Sequence, residues 1–326
     1  MQFARIAGLG KSLPDKVLDN LELEKMVDTS DEWITTRTGI SQRRILGKDK
    51  GSSELGAKAA INALKNADVA PDKVDLIIVT TVTPDTIFPS TACYIQKKIK
   101  AKNAACFDLS AACAGFVYGL ACAEKFIISG MYKTILVVST EVMSSIVDWT
   151  DRSTCVLFGD GAGAAVLTAS KKESFLATYL GSNGSYTDML YVPAGGSKYS
   201  VTKEVLDNHD NCIRMRGNEL FRLAVRAMAD AAQNALELAK VPIDDIKLLI
   251  PHQANNRIIT AIASRLKLPK EKVYVNIEKY GNMSAASSAI AFCEAWEDGL
   301  IKKGDIIVTA VFGAGLVWGS NVIRWV

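Results

Sequence analysis

Histidine is scarce in this sequence of 326 residues: His209 and His252 are the only two. Any chemistry that needs an imidazole therefore has almost no choice of residue. CxxC pairs are absent, and the seven cysteines are an odd number. This usage is typical of free thiols in a reducing compartment, so we expect a cytoplasmic protein.

A strong charge of one sign is also missing. The 38 Lys and Arg residues nearly balance the 35 Asp and Glu residues, and the net charge of +3 does not suggest a nucleic-acid partner. The N-terminus lacks the form of a signal peptide, and the longest nearly uncharged stretch, residues 104–123, is interrupted by Asp108. We therefore expect neither a leader nor a membrane span. The hydrophobic content of 49% describes a well-buried globular chain.

An internal repeat is the clearest organising feature of the chain. Residues 62–78 align without a gap on residues 234–250, with an offset of 172 at both ends. Each copy has the pattern of an amphipathic helix, a turn containing proline and an aliphatic strand. Chance similarity between two common units is the alternative, but the gapless match favours duplication. The pattern predicts an α/β protein with two similar halves, residues 1–172 and residues 173–326.

Three short segments each place a reactive side chain beside an apolar or glycine-rich run, and these side chains are Cys113, His252 and Asn282. Cys113 follows a predicted strand and opens a predicted helix, whose N-terminus would stabilise a thiolate. His252 ends a predicted strand, where the sites of α/β sheets collect. Taken singly, Cys113 could equally be a small core residue, His252 a structural histidine and Asn282 a turn residue or helix cap.

Taken together, these segments resemble the β-ketoacyl-[acyl-carrier-protein] synthase III family, the initiating condensing enzymes of bacterial type II fatty acid synthesis. Residues 148–152, 157–163 and 312–319 carry further parts of the resemblance, which covers essentially the whole chain. It implies a thiolase-like αβαβα layered fold with two pseudo-duplicated halves, the first carrying the cysteine and the second carrying the histidine and asparagine. It also implies a homodimer.

The resemblance assigns the catalytic roles to Cys113, His252 and Asn282. It implies a decarboxylative Claisen condensation in which acetyl-CoA, or a similar short acyl-CoA, acylates Cys113 and malonyl-acyl carrier protein then supplies the attacking carbon. The backbone N–H groups of Cys113 and Ala314 would form the oxyanion hole. Ala314 stands where many relatives have glycine. We expect acyl-CoA as substrate, with no permanently bound cofactor and no metal.

The resemblance also implies contacts with substrate and partner. It places Trp33, Arg37 and Arg152 at the adenine end of CoA, although without it they would pass for a surface tryptophan and ordinary ion-paired arginines. The acyl pocket would include Phe88, reaching into the partner subunit, and Phe158. The predicted docking residues for acyl carrier protein are Gln253, Ala254, Asn255, Asn256, Arg257 and Arg222, with Arg265 as a further basic residue or a solvated one.

Other functions remain open on the sequence alone. The nearest is a condensing enzyme of the same family with another acyl starter or a role in secondary metabolism. A Cys-His-Asn thioester hydrolase or peptidase shares the residue types, but the local peptidase motif around the cysteine is absent and the duplication is foreign to that class. A non-catalytic relative is disfavoured because all three polar groups are present.

Overall fold

The aliphatic runs of the sequence form strands in a computed structural model that describes residues 2–326. In chain order the strands are β1 (Phe3–Ser12), β2 (Val17–Asp19), β3 (Gln42–Arg44), β4 (Leu76–Thr80), β5 (Ala105–Leu109), β6 (Thr134–Val142), β7 (Asp160–Ser170), β8 (Phe175–Ser182), β9 (Leu190–Tyr191), β10 (Arg214–Met215), β11 (Ile246–Pro251), β12 (Ile306–Gly313) and β13 (Val317–Arg324).

Two main sheets are built from these strands. The first has the order β1-β7-β6-β4-β5, in which β6, β4 and β5 run parallel and the other neighbours are antiparallel. The second has the order β11-β12-β13-β8, in which only β11 and β12 are parallel. Two short pairs, β2 with β3 and β9 with β10, lie outside these sheets.

Helices connect the strands and cover the sheets. They are α1 (Asn20–Leu23), α2 (Asp31–Thr38), α3 (Ser52–Ala67), α4 (Thr91–Ile99), α5 (Gly115–Ile128), α6 (Arg152–Cys155), α7 (Lys203–Asp207), α8 (Gly217–Ala239), α9 (Asn256–Arg265), α10 (Ile277–Tyr280) and α11 (Ala285–Glu297). Among the described residues, no helix is both long enough and apolar enough to cross a membrane.

The core has a layered arrangement with α5 and α11 at its centre. The central buried cluster joins Phe116 of α5 and Phe292 of α11 to Ile78 of the first sheet and Ile307 of the second. Helices α3 and α4 pack on the other face of the first sheet, and α8 and α9 pack on the other face of the second. Both central helices are buried on most sides, as expected of helices between two sheets. The predicted αβαβα layering is confirmed.

The internal repeat is visible in the backbone. Helices α3 and α8 each end at a residue in the left-handed region, Asp68 with a φ of 53° and Lys240 with a φ of 54°. Each is followed by a 3₁₀ turn, Pro71–Lys73 in the first copy and Ile243–Asp245 in the second. The offset of 172 therefore holds for the helix end and the turn. The predicted boundary between residues 172 and 173 falls in the connection from β7 to β8, and as a domain boundary it stays a prediction.

Candidate active site

Cys113 lies at the corner where β5 leads into α5. A 3₁₀ turn, Ala112–Ala114, joins the two elements, and Ala112 has a φ of 43°, in the left-handed region. The end of β12 approaches this corner closely, because a Cβ built on Gly313 would stand 2.7 Å from the amide nitrogen of Cys113. Glycine is therefore required at position 313.

Burial decides the ionisation of Cys113. It raises the pKa of the thiol to about 12, and the nearby Glu141 carboxylate raises it further, while the hydroxyl of Ser284 lowers it. Burial opposes the thiolate expected from the helix N-terminus, because desolvation disfavours the charged sulfur. Burial therefore favours the protonated thiol at neutral pH, and attack of that thiol on a thioester requires removal of its proton.

His252 follows the last residue of β11 and is buried, with its backbone N–H donating to Ala310 at 2.8 Å. Burial lowers the pKa of the imidazole to about 4, so the ring is neutral at neutral pH. Its Nδ1 atom is buried and has no hydrogen-bond partner among residues 2–326. Because buried N–H groups are seldom left unpaired, we assign the ring proton to Nε2. The imidazole can then donate a hydrogen bond from Nε2.

Asn282 is held in place by its backbone and its side-chain oxygen. Its N–H donates to Leu157 at 2.8 Å, and its carbonyl accepts from Gly159 at 3.0 Å. The side-chain Oδ1 accepts the N–H of Ser284 at 2.8 Å. This contact fixes which end of the amide is oxygen, and it leaves the NH₂ group of Asn282 free to donate to a bound molecule.

One cavity, with a volume of about 350 Å³, is lined by Cys113, His252 and Asn282 together. The apolar wall of the cavity consists of Val156, Leu157, Phe158, Leu190, Met215, Leu220, Phe221, Ala224, Met228, Ile258 and Phe312. The remaining lining residues are Trp33, Arg37, Thr38, Ser153, Gly217, Asn218, Ala254, Asn255, Arg257 and Gly313. A larger neighbouring groove of about 550 Å³ shares Ser153 and Met215 but none of the three reactive residues.

The predicted CoA contacts cluster around one indole ring. The guanidinium carbon of Arg37 lies 4.8 Å from the centroid of Trp33, and that of Arg152 lies 5.4 Å from it. Trp33 and Arg37 line the cavity, whereas Arg152 lies outside it and donates to the carbonyl of Asp28 at 2.6 Å. A purine would meet an aromatic face and two cations here.

The predicted carrier-protein segment begins α9. Asn255 caps the helix, since its Oδ1 accepts the N–H of Arg257 at 2.8 Å, and its Nδ2 donates to the carbonyl of Arg37 at 3.0 Å. Ala254 and Asn255 are half-buried in the cavity lining, and Asn256 is exposed. The exposed side chains of Arg37, Arg222 and Arg257 form no ion pair within residues 2–326. Arg265, by contrast, donates to Asp230 at 3.2 Å.

Gln253 does not fit its predicted role in docking. It is fully buried, and its Nε2 donates to the carbonyls of Pro251 at 2.9 Å and Tyr274 at 3.1 Å. Its Oε1 accepts the N–H of Asn276 at 3.0 Å. A side chain with no exposed surface and a fully occupied amide cannot contact a docked protein, so the assignment was wrong. Gln253 instead holds the backbone beside His252.

The two predicted acyl-pocket aromatics lie in different surroundings. Phe158 is buried and lines the cavity. Phe88 is 84% exposed and does not line the cavity of its own chain. Its predicted contact with a partner subunit stays a prediction. The predicted oxyanion-hole amides, those of Cys113 and Ala314, donate to no backbone carbonyl within residues 2–326. Both are available to an incoming oxygen.

Two polar residues at the site were not assigned from the sequence. Ser284 belongs to the Gly281–Ser284 segment and lies beside the Cys113 sulfur, and Glu141 lies near the end of β6. The signal for Glu141 is a carboxylate that follows the buried aliphatic residues Ile135–Val138 without a break in the strand. Such a charge inside a sheet is rarely tolerated without a purpose.

Comparison with known proteins gives consistent matches along the chain. Residues 107–184 match the family described as 3-oxoacyl-[acyl-carrier-protein] synthase III, and residues 236–325 match its C-terminal part. The chain is 53% identical to β-ketoacyl-[acyl-carrier-protein] synthase III of Caldanaerobacter subterraneus subsp. tengcongensis, over 99% of this chain and 98% of the relative. It is 49% identical to the enzyme of that name from Clostridioides difficile, with coverage of 99% and 98%.

A solved structure gives the same result. The crystal structure of 3-oxoacyl-[acyl-carrier-protein] synthase III from Aquifex aeolicus superposes with a TM-score of 0.91 and is 49% identical in sequence. The match covers 99% of this chain and 100% of that one. The similarity therefore extends over both sheets and over every segment that lines the cavity.

Proposed function

The chain belongs to the 3-oxoacyl-[acyl-carrier-protein] synthase III family, and we propose that Cys113, His252 and Asn282 carry out its reaction. It acts as an acyl-transferring condensing enzyme that initiates fatty acid synthesis. The observation that carries the residue assignment is that one cavity, of about 350 Å³, is lined by a thiol, an imidazole and an amide from distant parts of the sequence.

In the first half-reaction, the sulfur of Cys113 attacks the thioester carbonyl of an acyl-CoA and CoA leaves. The amides of Cys113 and Ala314 receive the oxyanion of the tetrahedral intermediate, and the lack of a backbone carbonyl acceptor for either amide within residues 2–326 supports this role. The close approach of Gly313 to the Cys113 amide supports it as well, since it brings the end of β12 to the nucleophile.

In the second half-reaction, malonyl carried on acyl carrier protein loses CO₂, and the enolate attacks the acyl-cysteine. His252 Nε2–H and the Asn282 NH₂ group donate hydrogen bonds to the enolate oxygen. Loss of CO₂ creates the carbanion directly, so no strong base has to remove a proton from carbon. A neutral imidazole and an amide are therefore sufficient, and burial keeps His252 neutral.

Acetyl-CoA is the proposed starter. The apolar wall of the cavity suits an acyl group, and a volume of about 350 Å³ must also accommodate the arm of CoA. Little room then remains for a long chain. The adenine is proposed to stack at Trp33, where Arg37 and Arg152 supply positive charge for the phosphates.

Acyl carrier protein is proposed to dock at the cavity mouth beside the N-terminus of α9. Arg257 and Arg222 are exposed and unpaired among the described residues, and such cations attract an acidic partner despite the small net charge.

A homodimer is proposed because Ile87 and Phe88 are 89% and 84% exposed on one loop. The seven cysteines, all free thiols, support a reducing compartment such as the cytoplasm.

The test is incubation with acetyl-CoA and then malonyl-carrier protein, followed by mass analysis of protein and products. We expect one acetyl group on the peptide that contains Cys113, and then acetoacetyl-carrier protein and CO₂. The Cys113→Ala variant is expected to carry no acetyl group, and persistent labelling of that variant would refute the nucleophile. Asn282→Ala is expected to lose condensation far more than acetylation, so an equal loss of both steps would contradict its assignment.

A further inference from the structure

Within residues 2–326, two buried oxygen atoms near Cys113 have no partner that meets full hydrogen-bond geometry: Oε1 of Glu141 and Oγ of Ser284. Neither residue belongs to the proposed set of Cys113, His252 and Asn282. Buried polar atoms are nearly always paired, and leaving one unpaired costs about 1–3 kcal/mol. Two such poorly paired atoms beside one sulfur therefore require an explanation, and the explanation below rests on the proposed role of Cys113 as nucleophile.

Glu141 is fully buried, and its two oxygens are in different situations. Oε2 accepts three hydrogen bonds, from Thr81 Oγ1 at 3.1 Å, the Val82 N–H at 3.1 Å and Thr83 Oγ1 at 2.7 Å. These contacts fix the carboxylate from one side. The other oxygen, Oε1, is held in a defined position but accepts no hydrogen bond of full geometry within residues 2–326.

Ser284 precedes the first residue of α11 in a backbone conformation that serine rarely adopts. Its φ is 50° and its ψ is −128°, and its N–H donates to Asn282. Glycine would take this conformation at lower cost, so a serine here indicates a use for the hydroxyl. That hydroxyl is buried, and it has no partner with full hydrogen-bond geometry.

Packing brings the two residues to Cys113. A Cβ built on Gly115, at the start of α5, would stand 2.9 Å from Cβ of Thr80 and 3.1 Å from Cβ of Ala285. The end of β4, the start of α5 and the start of α11 therefore meet at one point. Thr80 adjoins Thr81, which is bonded to Glu141, and Ala285 adjoins Ser284. The Ser284 hydroxyl lowers the pKa of both Cys113 and Glu141, as expected of a group lying beside both.

The obvious base for the thiol is poorly suited to the task. His252 has its pKa lowered to about 4, and no acceptor stands at Nδ1 to stabilise a second proton. Glu141 is better matched, because burial raises the pKa of its carboxyl to about 7, and proton transfer is most efficient when the acceptor titrates near the working pH. The charge of this carboxyl acts on the thiol of Cys113, so the two groups lie close together.

We propose that Glu141 accepts the thiol proton of Cys113 through the hydroxyl of Ser284 when the acyl-enzyme forms. The S–H bond breaks as sulfur bonds to the acyl carbon. The proton passes to Oγ of Ser284, whose own proton passes to Oε1 of Glu141. When the bond between the acyl carbon and the CoA sulfur breaks, Oε1 of Glu141 gives its proton back to Oγ of Ser284, which passes its other proton to the CoA sulfur. CoA leaves as the thiol, and Glu141 is a carboxylate again, so atoms and charge balance.

The experiment is single-turnover acylation of the full-length enzyme with acetyl-CoA, quenched and analysed by mass spectrometry across a pH series. Ser284→Ala and Glu141→Gln are each expected to slow acylation by about 100-fold or more. The wild-type rate should rise to a plateau with a midpoint near pH 7, set by Glu141. In Glu141→Gln that midpoint should vanish, and the rate should keep rising towards the pKa of the thiol. A merely structural role would lower the rate without removing the midpoint.

Two further variants keep the outcome interpretable. Glu294→Gln changes a buried carboxylate bonded to Asn276 and Tyr280, away from the sulfur, and should keep the wild-type midpoint. Glu141→Asp should restore part of the rate and a midpoint. Wild-type rates and profiles in Ser284→Ala and Glu141→Gln would overturn the relay alone. Absence of acetyl-Cys113 in the wild-type enzyme would instead overturn the proposed function.

Discussion

Three side chains at the site are buried: Cys113, His252 and Glu141. Burial raises the pKa of the thiol and of the carboxyl and lowers the pKa of the imidazole, so it favours the neutral form of each group. The consequence is a site with weak permanent charge beside the nucleophile. Such a site suits a thioester, which is neutral, and it suits an enolate that forms and is consumed in place. Reactivity then depends on moving protons at the moment of attack rather than on a stored thiolate.

Gly313 is the residue whose substitution tests the oxyanion hole without touching a reactive side chain. In Gly313→Ala the new methyl would stand 2.7 Å from the amide nitrogen of Cys113, and backbone cannot yield as a flexible side chain can. The amide should be displaced from the oxyanion. We expect acylation by acetyl-CoA to fall about 10²–10³-fold, measured by single-turnover labelling.

The matched control is Gly47→Ala, because a Cβ at Gly47 would meet nothing within 4 Å. It should acylate at the wild-type rate. Normal acylation in Gly313→Ala would show that the amide at position 113 does not hold the oxyanion, and the role of Ala314 would need to be reconsidered with it.

At the scale of elements, the sequence predicted what depends on local pattern. The gapless match between residues 62–78 and residues 234–250 predicted two similar units, since helix periodicity and turn chemistry are readable along the chain. The position of His252 at the end of a predicted strand likewise indicated that it belongs to the site. Gln253, the next residue, was misassigned because no local pattern reveals that Tyr274 and Asn276 bury its amide.

Glu141 and Ser284 could not be predicted as a pair from the sequence. They lie 143 positions apart in the numbering and approach each other only because α5 and α11 pack between two sheets. A sequence pattern carries no information on which buried oxygens lack a partner. The packing at Gly115 and the hydrogen bonds that occupy one side of the carboxylate identify the two residues.

Helix α9 offers a test of carrier-protein docking with a control on the same element. Arg257 is exposed at its N-terminus beside the cavity and lacks an ion pair within the described chain, whereas Arg265 in the last turn is bonded to Asp230. Arg257→Glu should raise KM for malonyl-carrier protein at least about tenfold at low salt. Acylation by acetyl-CoA should change far less.

Arg265→Glu carries the same charge change eight residues further along the helix, and it should leave KM for the carrier protein close to wild type. The two variants are compared at two salt concentrations, since screening should shrink the effect of Arg257→Glu. Equal effects of both variants would indicate that the overall charge of the enzyme, rather than a docking site at α9, governs the encounter.

For the whole molecule, the exposed pair Ile87 and Phe88 tests the proposed homodimer. Two large apolar side chains exposed on one loop are unfavourable in water and are typical of an interface. Phe88→Asp should shift the sedimentation profile from dimer towards monomer. The matched change at another exposed residue, Leu238→Asp on α8, should not. Dimers of undiminished stability in Phe88→Asp would contradict this interface.

The stability of the whole molecule should depend on pH through two opposing buried groups. The pKa of Glu141 is raised from 4.5 to about 7, so the native protein keeps a proton that the unfolded chain has released, and stability is lost as pH rises through this window. The pKa of His252 is lowered from 6.5 to about 4, so stability is lost as pH falls. Each effect is about 3 kcal/mol, and they largely cancel between pH 4.5 and 6.5.

Single variants separate the two contributions in denaturant unfolding across this pH range. Glu141→Gln should lose about 3 kcal/mol relative to wild type as pH falls from 7 to 4.5, because only the wild-type carboxyl gains from protonation there. His252→Asn should gain a similar amount relative to wild type as pH falls from 6.5 to 4. Carboxylates that titrate elsewhere are common to all three proteins and drop out of the differences. Parallel stability curves would mean that neither group is as thoroughly desolvated as its burial indicates, and the raised pKa that suits Glu141 to accept the thiol proton would be lost with it.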